Sequence, residues 1–270
     1  MKSLAYLDLS SNKLRGSIPD VFINISSLEY LYLYFNQFSG LIPDAFRNMR
    51  SIKELDISSN QLSGLIPDAF MNMGSLAYFD LSSNQLSGLI PNAFASMSSL
   101  ANLDLDLSSN QLSGLVPNSF ANMSSLENLD LSHNPLKGGI PASISQLCSL
   151  RSFWISSCNL TEFSEFVQRQ STCPQNSLDS LDLSDNNLVG SFPNLTNFSS
   201  LEVLQLSKNK FSGMVPDSVG QLSRLYELDL SGNQLSGRIP ESIGQISSLD
   251  RLDLSRNRLS RRIPQSRTIV

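Results

Sequence analysis

A unit of about 24 residues, seen from Leu76 to Ser99 as LAYFDLSSNQLSGLIPNAFASMSS, recurs about eleven times end to end and leaves little of the chain unexplained. Its phase is marked by Asn12, Asn36, Asn60, Asn84, Asn110, Asn134, Asn186, Asn209, Asn233 and Asn257, with Cys158 in the corresponding place between Asn134 and Asn186. Stacked copies of one unit have no separate cores to split, so the guide of roughly 150 residues per domain does not apply. A single domain over residues 1–264 is expected.

Within the unit, Leu76, Phe79 and Leu81 keep an L-x-x-L-x-L spacing, which on a short strand turns alternate side chains inward and those between them outward. So short a strand needs the same strand of the next copy beside it, roughly 4.8 Å away, and the pairing builds a parallel sheet. Leu86, Ile90, Phe94 and Met97 supply the rest of the core as the chain returns. Asn84 lies where the strand gives way to that return, and a carboxamide offers both a donor and an acceptor to the turn's backbone. A column of such asparagines can satisfy turn after turn, and Cys158 within it reads as a buried structural thiol. Gly88 is expected at a backbone angle that other residues resist, and Pro91 at the next bend.

The longer pattern L-x-x-L-x-L-S-x-N-x-L-S-G-x-I-P is close at Leu225 to Pro240 and Ile52 to Pro67, and looser at Leu28 to Pro43. It resembles the plant-specific class of leucine-rich repeat over essentially the whole chain. The resemblance implies an α/β solenoid, a right-handed curved superhelix with a concave parallel β-sheet and an irregular, 3-10 convex side. Such repeats form the extracellular parts of plant receptor kinases and receptor-like proteins, and also secreted inhibitors of microbial cell-wall enzymes. From Cys148 to Asn209, an irregular unit at about residues 148–177 carries two cysteines ahead of an NSL-x-x-LDLS restart. That stretch resembles the middle of receptor-like proteins similar to those that perceive fungal xylanase.

The net charge of -5 conceals an asymmetry, since Arg251, Arg256, Arg258, Arg261, Arg262 and Arg267 crowd one end and leave residues 1–250 at about -10. Nucleic acid is a poor partner for such a surface. Met1 to Leu4 enters the first repeat directly and nothing there resembles a signal peptide, and no run approaches the roughly 20 apolar residues of a membrane span. Neither end shows a cysteine-flanked cap, so a fragment or truncated gene product is expected, with a naturally short secreted or intracellular form as the alternative. Residues 265–270 are expected to be a disordered tail.

Departures from the repeat mark the candidate sites. The second repeat reads LEYLYLYFN, with Tyr30, Tyr32, Tyr34 and Phe35 where other copies carry polar residues. Counted from Leu28, Tyr32 falls on the outward position held by Asp8 and Asp56, and Tyr30 falls beside Tyr6. Rigid rings with a polar tip suit recognition because little side-chain entropy is lost, and the alternative is that they cover an exposed edge. Tyr78 lies on the same face, among Glu54, Asp56 and Asp80. The aspartates recur because the repeat recurs, and they read as a solvated acidic face. A second contact patch is expected around His133, Trp154 and Ser156, against a plain surface reading. Asp130, Ser132 and His133 are neighbours on one short strand and cannot form a triad. In the fifth repeat Leu-Asp is doubled at about residues 103–106; two extra residues preserve the alternation and should bulge locally.

Cys148 and Cys173 occupy similar places on consecutive returns, which makes a disulfide plausible and fits an oxidising exterior, with unpaired thiols as the alternative. Sequons at Asn24, Asn122, Asn159, Asn194 and Asn197 permit glycosylation without arguing for it in so Asn- and Ser-rich a chain. No kinase motif, cofactor motif or metal cluster is visible, so neither enzyme activity nor a cofactor is expected. The family resemblance implies a ligand-recognition ectodomain, or part of one, from a plant receptor-like protein or receptor kinase acting in defence at the cell surface. It implies a protein or peptide ligand and a co-receptor kinase. The alternative on the same scaffold is a secreted inhibitor of microbial cell-wall hydrolases.

Overall fold

The computed structural model describes residues 3–23, 25–97, 102–163, 166–167, 173, 177–261 and 263. Asn24, residues 164–165, 168–172 and 174–176 of the irregular repeat, and the expected tail at 265–270 lie outside the described residues. The backbone divides into two compact units, Met1–Lys137 and Gly138–Val270, each a run of the same coil.

In the first unit the strands Tyr6–Asp8, Tyr30–Tyr32, Glu54–Asp56, Tyr78–Asp80, Leu103–Asp106 and Leu126–Asp130 pair in parallel, one per repeat, as a front sheet. Leu31, Leu55, Phe79, Leu105 and Leu129 are the inward positions and are at most 2 % exposed. A second parallel sheet runs through Arg15–Gly16, Gln37–Leu41, Gln61–Leu65, Gln85–Leu89 and Gln111–Ser113. The return paths include 3-10 turns at Asp44–Asn48, Asp68–Asn72, Asn92–Met97 and Asn118–Asn122. These turns drop Phe46, Phe70, Phe94 and Phe120 into the core, where they form a file with Phe79: Phe46 to Phe70 at 5.5 Å, Phe70 to Phe79 at 4.7 Å, Phe79 to Phe94 at 6.2 Å and Phe94 to Phe120 at 6.5 Å.

The doubled Leu-Asp behaves as alternation requires. Leu103, Leu105 and Leu107 are all buried, Asp104 and Asp106 stay in register with Tyr78 and Asp80, and the register slips once, between Leu126 and Asn128. Gly88 has φ +84°, the left-handed region that costs other residues energy, and a Cβ there would run into Leu65 Cδ2 from the preceding repeat.

In the second unit the front strands are Ser152–Trp154, Ser180–Asp182, Val203–Gln205, Glu227–Asp229 and Arg251–Asp253, again parallel and in register. Behind them Val189–Ser191, Lys210–Gly213, Gln234–Gly237 and Arg258–Leu259 pair likewise. The irregular repeat lacks the Gly and Pro of the usual return, and aromatic rings fill its core. Phe166 lies 6.2 Å from Phe153, 5.6 Å from Phe163 and 5.4 Å from Phe198. Cys148 and Cys173 are joined as a disulfide across this repeat.

Candidate functional site

The turn after each front strand carries most of the polar order. In the first unit Asn36, Asn60, Asn84, Asn110 and Asn134 each donate Nδ2 to carbonyls two and three residues back and to one in the preceding repeat; Asn60 reaches Ser58 O at 2.9 Å, Ile57 O at 3.2 Å and Leu33 O at 3.0 Å. Their Oδ1 atoms accept an N–H from the preceding repeat, as Asn60 does from Phe38 at 3.0 Å. The Asn12 side chain donates within its own turn, to Leu9 O and Ser10 O, while its backbone N–H donates to Phe35 O. In the second unit Asn186, Asn209, Asn233 and Asn257 repeat the arrangement. Cys158 is buried and donates its S–H to Ser156 O at 3.4 Å.

The repeated aspartates have a structural task as well. Oδ1 of Asp8, Asp56, Asp80, Asp106 and Asp130 accepts the backbone N–H two residues on, at 2.8 to 2.9 Å, closing an Asx turn. Asp56 and Asp80 are only 8 % exposed, which corrects the reading of a solvated acidic face. Burial pushes the carboxyls of Asp56 and Asp106 up, that of Asp106 to about 6, with Asp80 and Asp130 adding like charge beside it.

The residue just before each marker asparagine is a second regularity, one that no motif announces. Ser11, Phe35, Ser59, Ser83, Ser109 and His133 in the first unit, and Ser157, Asp185, Lys208 and Arg256 in the second, all have φ between +51° and +56°. Only Gly232 supplies the residue such a conformation favours.

Against this background the second repeat stands out. Its outward rings are gathered together: Tyr6 lies 6.0 Å from Tyr30 and 5.6 Å from Tyr32, Tyr32 lies 6.4 Å from Tyr34, and Tyr34 lies 6.1 Å from Phe35. Tyr6 and Phe35 are 55 % and 64 % exposed, and Tyr30, Tyr32 and Tyr34 are half-buried. Tyr32 donates its hydroxyl to Glu54 Oε2; burial, and then that bond, push its phenol pKa up, so it stays a donor. Lys53, which no motif singles out, holds its Nζ 5.9 Å above the Tyr30 ring and 2.6 Å from Glu29 Oε2. Tyr78 is half-buried one strand beyond Glu54 and donates to Asp80 Oδ2 at 3.1 Å.

Across the first unit the paired outward positions read Tyr6 and Asp8, Tyr30 and Tyr32, Glu54 and Asp56, Tyr78 and Asp80, Asp104 and Asp106, Asn128 and Asp130. None of them is basic. The second unit presents Ser152 and Trp154, Ser180 and Asp182, Val203 and Gln205, Glu227 and Asp229, Arg251 and Asp253. Polar groups there are tied to one another: Trp154 Nε1 donates to Ser180 Oγ at 3.1 Å, and Glu227 accepts from Gln205 at 2.9 Å and Arg251 at 3.2 Å.

His133 is exposed at the left-handed turn position of the first unit, while Trp154 and Ser156 belong to the second. Ser156 is 8 % exposed, as its counterparts Ser58, Ser132 and Ser207 are buried, so it offers a ligand little surface. Asn122, Asn159, Asn194 and Asn197 are exposed. Among the described residues no group of three His, Cys, Asp or Glu could hold a metal ion, and no helix is long and apolar enough to cross a membrane.

The leucine rich repeat family matches residues 1–38, 26–86, 50–106, 105–160, 176–235 and 199–259. Receptor-like protein 31 of Arabidopsis thaliana is 36% identical over 99 residues, which is 36% of this chain and 11% of that protein. A TDR receptor crystal structure superposes with a TM-score of 0.90 at 32% identity, over 97% of this chain and 44% of that one. The plant peptide hormone receptor RGFR1, in complex with RGF2, does so with a TM-score of 0.69 at 29% identity, over 96% of this chain and 48% of that one. The chain thus spans less than half the length of these receptor structures. It belongs to the leucine rich repeat family, and its likeness runs to plant receptors.

Proposed function

We propose that this chain is a ligand-recognition ectodomain, or part of one, from a plant receptor-like protein or receptor kinase. On this reading it works outside the plasma membrane in defence signalling, binds a protein or peptide, and meets a co-receptor kinase as a further partner. It recognises and does not catalyse. One observation carries the reading: the second repeat abandons three local rules in a single turn. Tyr32 replaces the aspartate that closes the turn in the other repeats of the first unit, Tyr34 replaces a serine, and Phe35 puts a bulky ring at φ +51°. Each exchange works against the turn, and such departures without local gain are where function is expected. What the exchanges provide is a patch of rigid rings on a repeat scaffold, where binding orders few groups. The likeness to RGFR1 in complex with RGF2 supports a peptide as ligand class.

The test is capture. The immobilised chain is incubated with plant extracellular fluid, and retained material is identified by mass spectrometry beside a variant with Tyr30, Tyr32 and Tyr34 all changed to Ser. The wild-type chain is expected to retain peptides or proteins that the variant, folded by circular dichroism, does not. Equal retention by both would remove the aromatic face from the reading.

A further inference from the structure

We propose that the outward face of the first unit takes a cationic side chain, an arginine or lysine of an extended peptide; this rests on the reading of that face as a ligand site. The outward positions of its front strands carry tyrosine, aspartate, glutamate and one asparagine, and no basic residue. Lys53, bonded to Glu29, reaches over Tyr30 from the position beside Glu54; apart from it the acids predominate, and a predominantly acidic face favours a partner of the other sign.

The rings and carboxylates interleave. Tyr6, Tyr30 and Glu54 follow one another along one outward column, and Asp8, Tyr32 and Asp56 along the next, so Tyr30 and Tyr32 each have an acidic residue one strand away, at a spacing of about 4.8 Å. An ammonium or guanidinium on the exposed Tyr6 ring, which meets Tyr32 edge-to-face at 5.6 Å, would meet a π-face, with Asp8 two residues along the same strand and Glu54 bonded to Tyr32. Glu54 accepts the Tyr32 hydroxyl, and Asp8 accepts Ser10 N–H and the Ser10 and Tyr6 hydroxyls; with about four acceptor sites to an ionised carboxylate, Glu54 keeps the larger capacity for an incoming donor.

The structure already contains one instance of this chemistry. Lys53 stands 5.9 Å over Tyr30 with its Nζ bonded to Glu29, a cation held jointly by ring and carboxylate. Tyr6 and Tyr32 offer a like setting, and more than half of the Tyr6 surface is exposed. An apolar or acidic partner would instead strip water from these carboxylates without returning a bond, which is unfavourable.

The experiment presents the 270-residue chain with a randomised library of short synthetic peptides and sequences those retained. Retained peptides are expected to be enriched in arginine or lysine over the input. Replacing a selected arginine by citrulline, or a selected lysine by norleucine, should weaken binding about tenfold, and added salt should weaken the cationic peptide more than its neutral form. Glu54→Gln should narrow the gap between the two peptide forms. Both forms meet the same protein sample, so a fraction of misfolded variant cancels from that comparison. Retained peptides without basic enrichment, or a neutral form that binds as tightly, would overturn the cationic assignment and leave the ligand-site reading standing. A library from which nothing is retained would overturn both.

Discussion

The first compact unit carries seven basic side chains against twelve carboxylates, whereas the second carries twelve of each. Both are built from one repeat, and their inward columns are nearly interchangeable: Leu31 and Leu55 in one, Leu181 and Leu204 in the other, all fully buried. The difference lies in what the repeat leaves unconstrained. Outward positions on the front sheet are freer than inward ones, so the first unit gathers tyrosines and acids, with Tyr32 bonded to Glu54 and Tyr78 to Asp80, while the second binds Glu227 to Gln205 and Arg251. Stability resides in the columns that agree; on the proposed reading, recognition falls to the positions that do not.

The largest effects should come from the cores. Phe79 occupies a place that is Leu in most copies, is fully buried, and touches Phe70 at 4.7 Å. Phe79→Ala should cost about 3 to 5 kcal/mol by removing contacts and leaving a cavity within the file of rings. Urea denaturation measures it. A cost near that of an exposed truncation, under about 0.5 kcal/mol, would mean the file does not hold the first unit together.

The irregular repeat of the second unit is secured by covalent means. The Cys148–Cys173 bond closes a loop of sequence separation 25, which chain entropy values at about 3.5 kcal/mol. Reduction, or Cys148→Ser with Cys173→Ser, should lower stability by about that much. Hydrogen exchange should place the loss near Leu150 and Leu178, which are buried beside the bridge. Unchanged exchange there would show that the aromatic cluster around Phe166 suffices.

Acid distinguishes the units next. The Asp106 carboxyl is pushed up to about 6, mainly by burial, with Asp80 and Asp130 adding to it and the Ser108 N–H opposing it. A raised acid favours its protonated form in the fold, so its contribution is complete below the unfolded value near 4 and is lost as pH rises through 6. At about 1.4 kcal/mol per pH unit the swing is at most about 3 kcal/mol. Asp106→Asn keeps an oxygen for the Ser108 N–H and should be more stable than wild type at pH 7 while matching it near pH 4. Asp56, raised for the same reason, leaves a residual slope of the same sign. A variant whose melting temperature tracks wild type across that range would refute the burial argument.

How much of this was legible from residues alone follows from what repeats. The strand spacing, the asparagine column and the inward leucines recur in every copy, so one physical argument for Leu76 to Ser99 serves most of the chain. The aspartate's part in the turn was not legible, because an outward carboxylate and a turn-closing one share the same residue and spacing; only the bond from Ser82 N to Asp80 Oδ1 tells them apart. Ser156 was misplaced for a related reason, since the turn folds that serine inward after the strand's alternation ends. The exposed column of Leu41, Leu65, Leu89 and Leu115 carries no signal either; a Cβ on Gly64, Gly88 or Gly114 would run into Leu41, Leu65 or Leu89 of the preceding coil, so the missing side chain gives each of those three its room. The aromatic cluster was visible because it breaks the repeat, whereas Lys53 over Tyr30 depends on a side-chain path that spacing does not specify.

The smallest effect discriminates best between a structural and a recognising second repeat. Phe35 holds φ +51° with 64 % of its surface exposed, so its ring gains little from burial and its backbone is strained by roughly 1 to 2 kcal/mol. Glycine has no such penalty, and Gly232 occupies the same turn position in the second unit. Phe35→Gly should therefore raise stability, by about 1 kcal/mol once the greater freedom of the unfolded glycine is allowed for, while weakening peptide capture. The same exchange at Ser231's neighbour is already present in nature's own copy, which makes Gly232→Phe the converse: less stable, with no gain in capture because the second unit lacks the surrounding tyrosines. A Phe35→Gly chain that loses stability would show the ring to be a packing element of its own turn, and one that gains stability and captures as before would leave the strain without a purpose in binding.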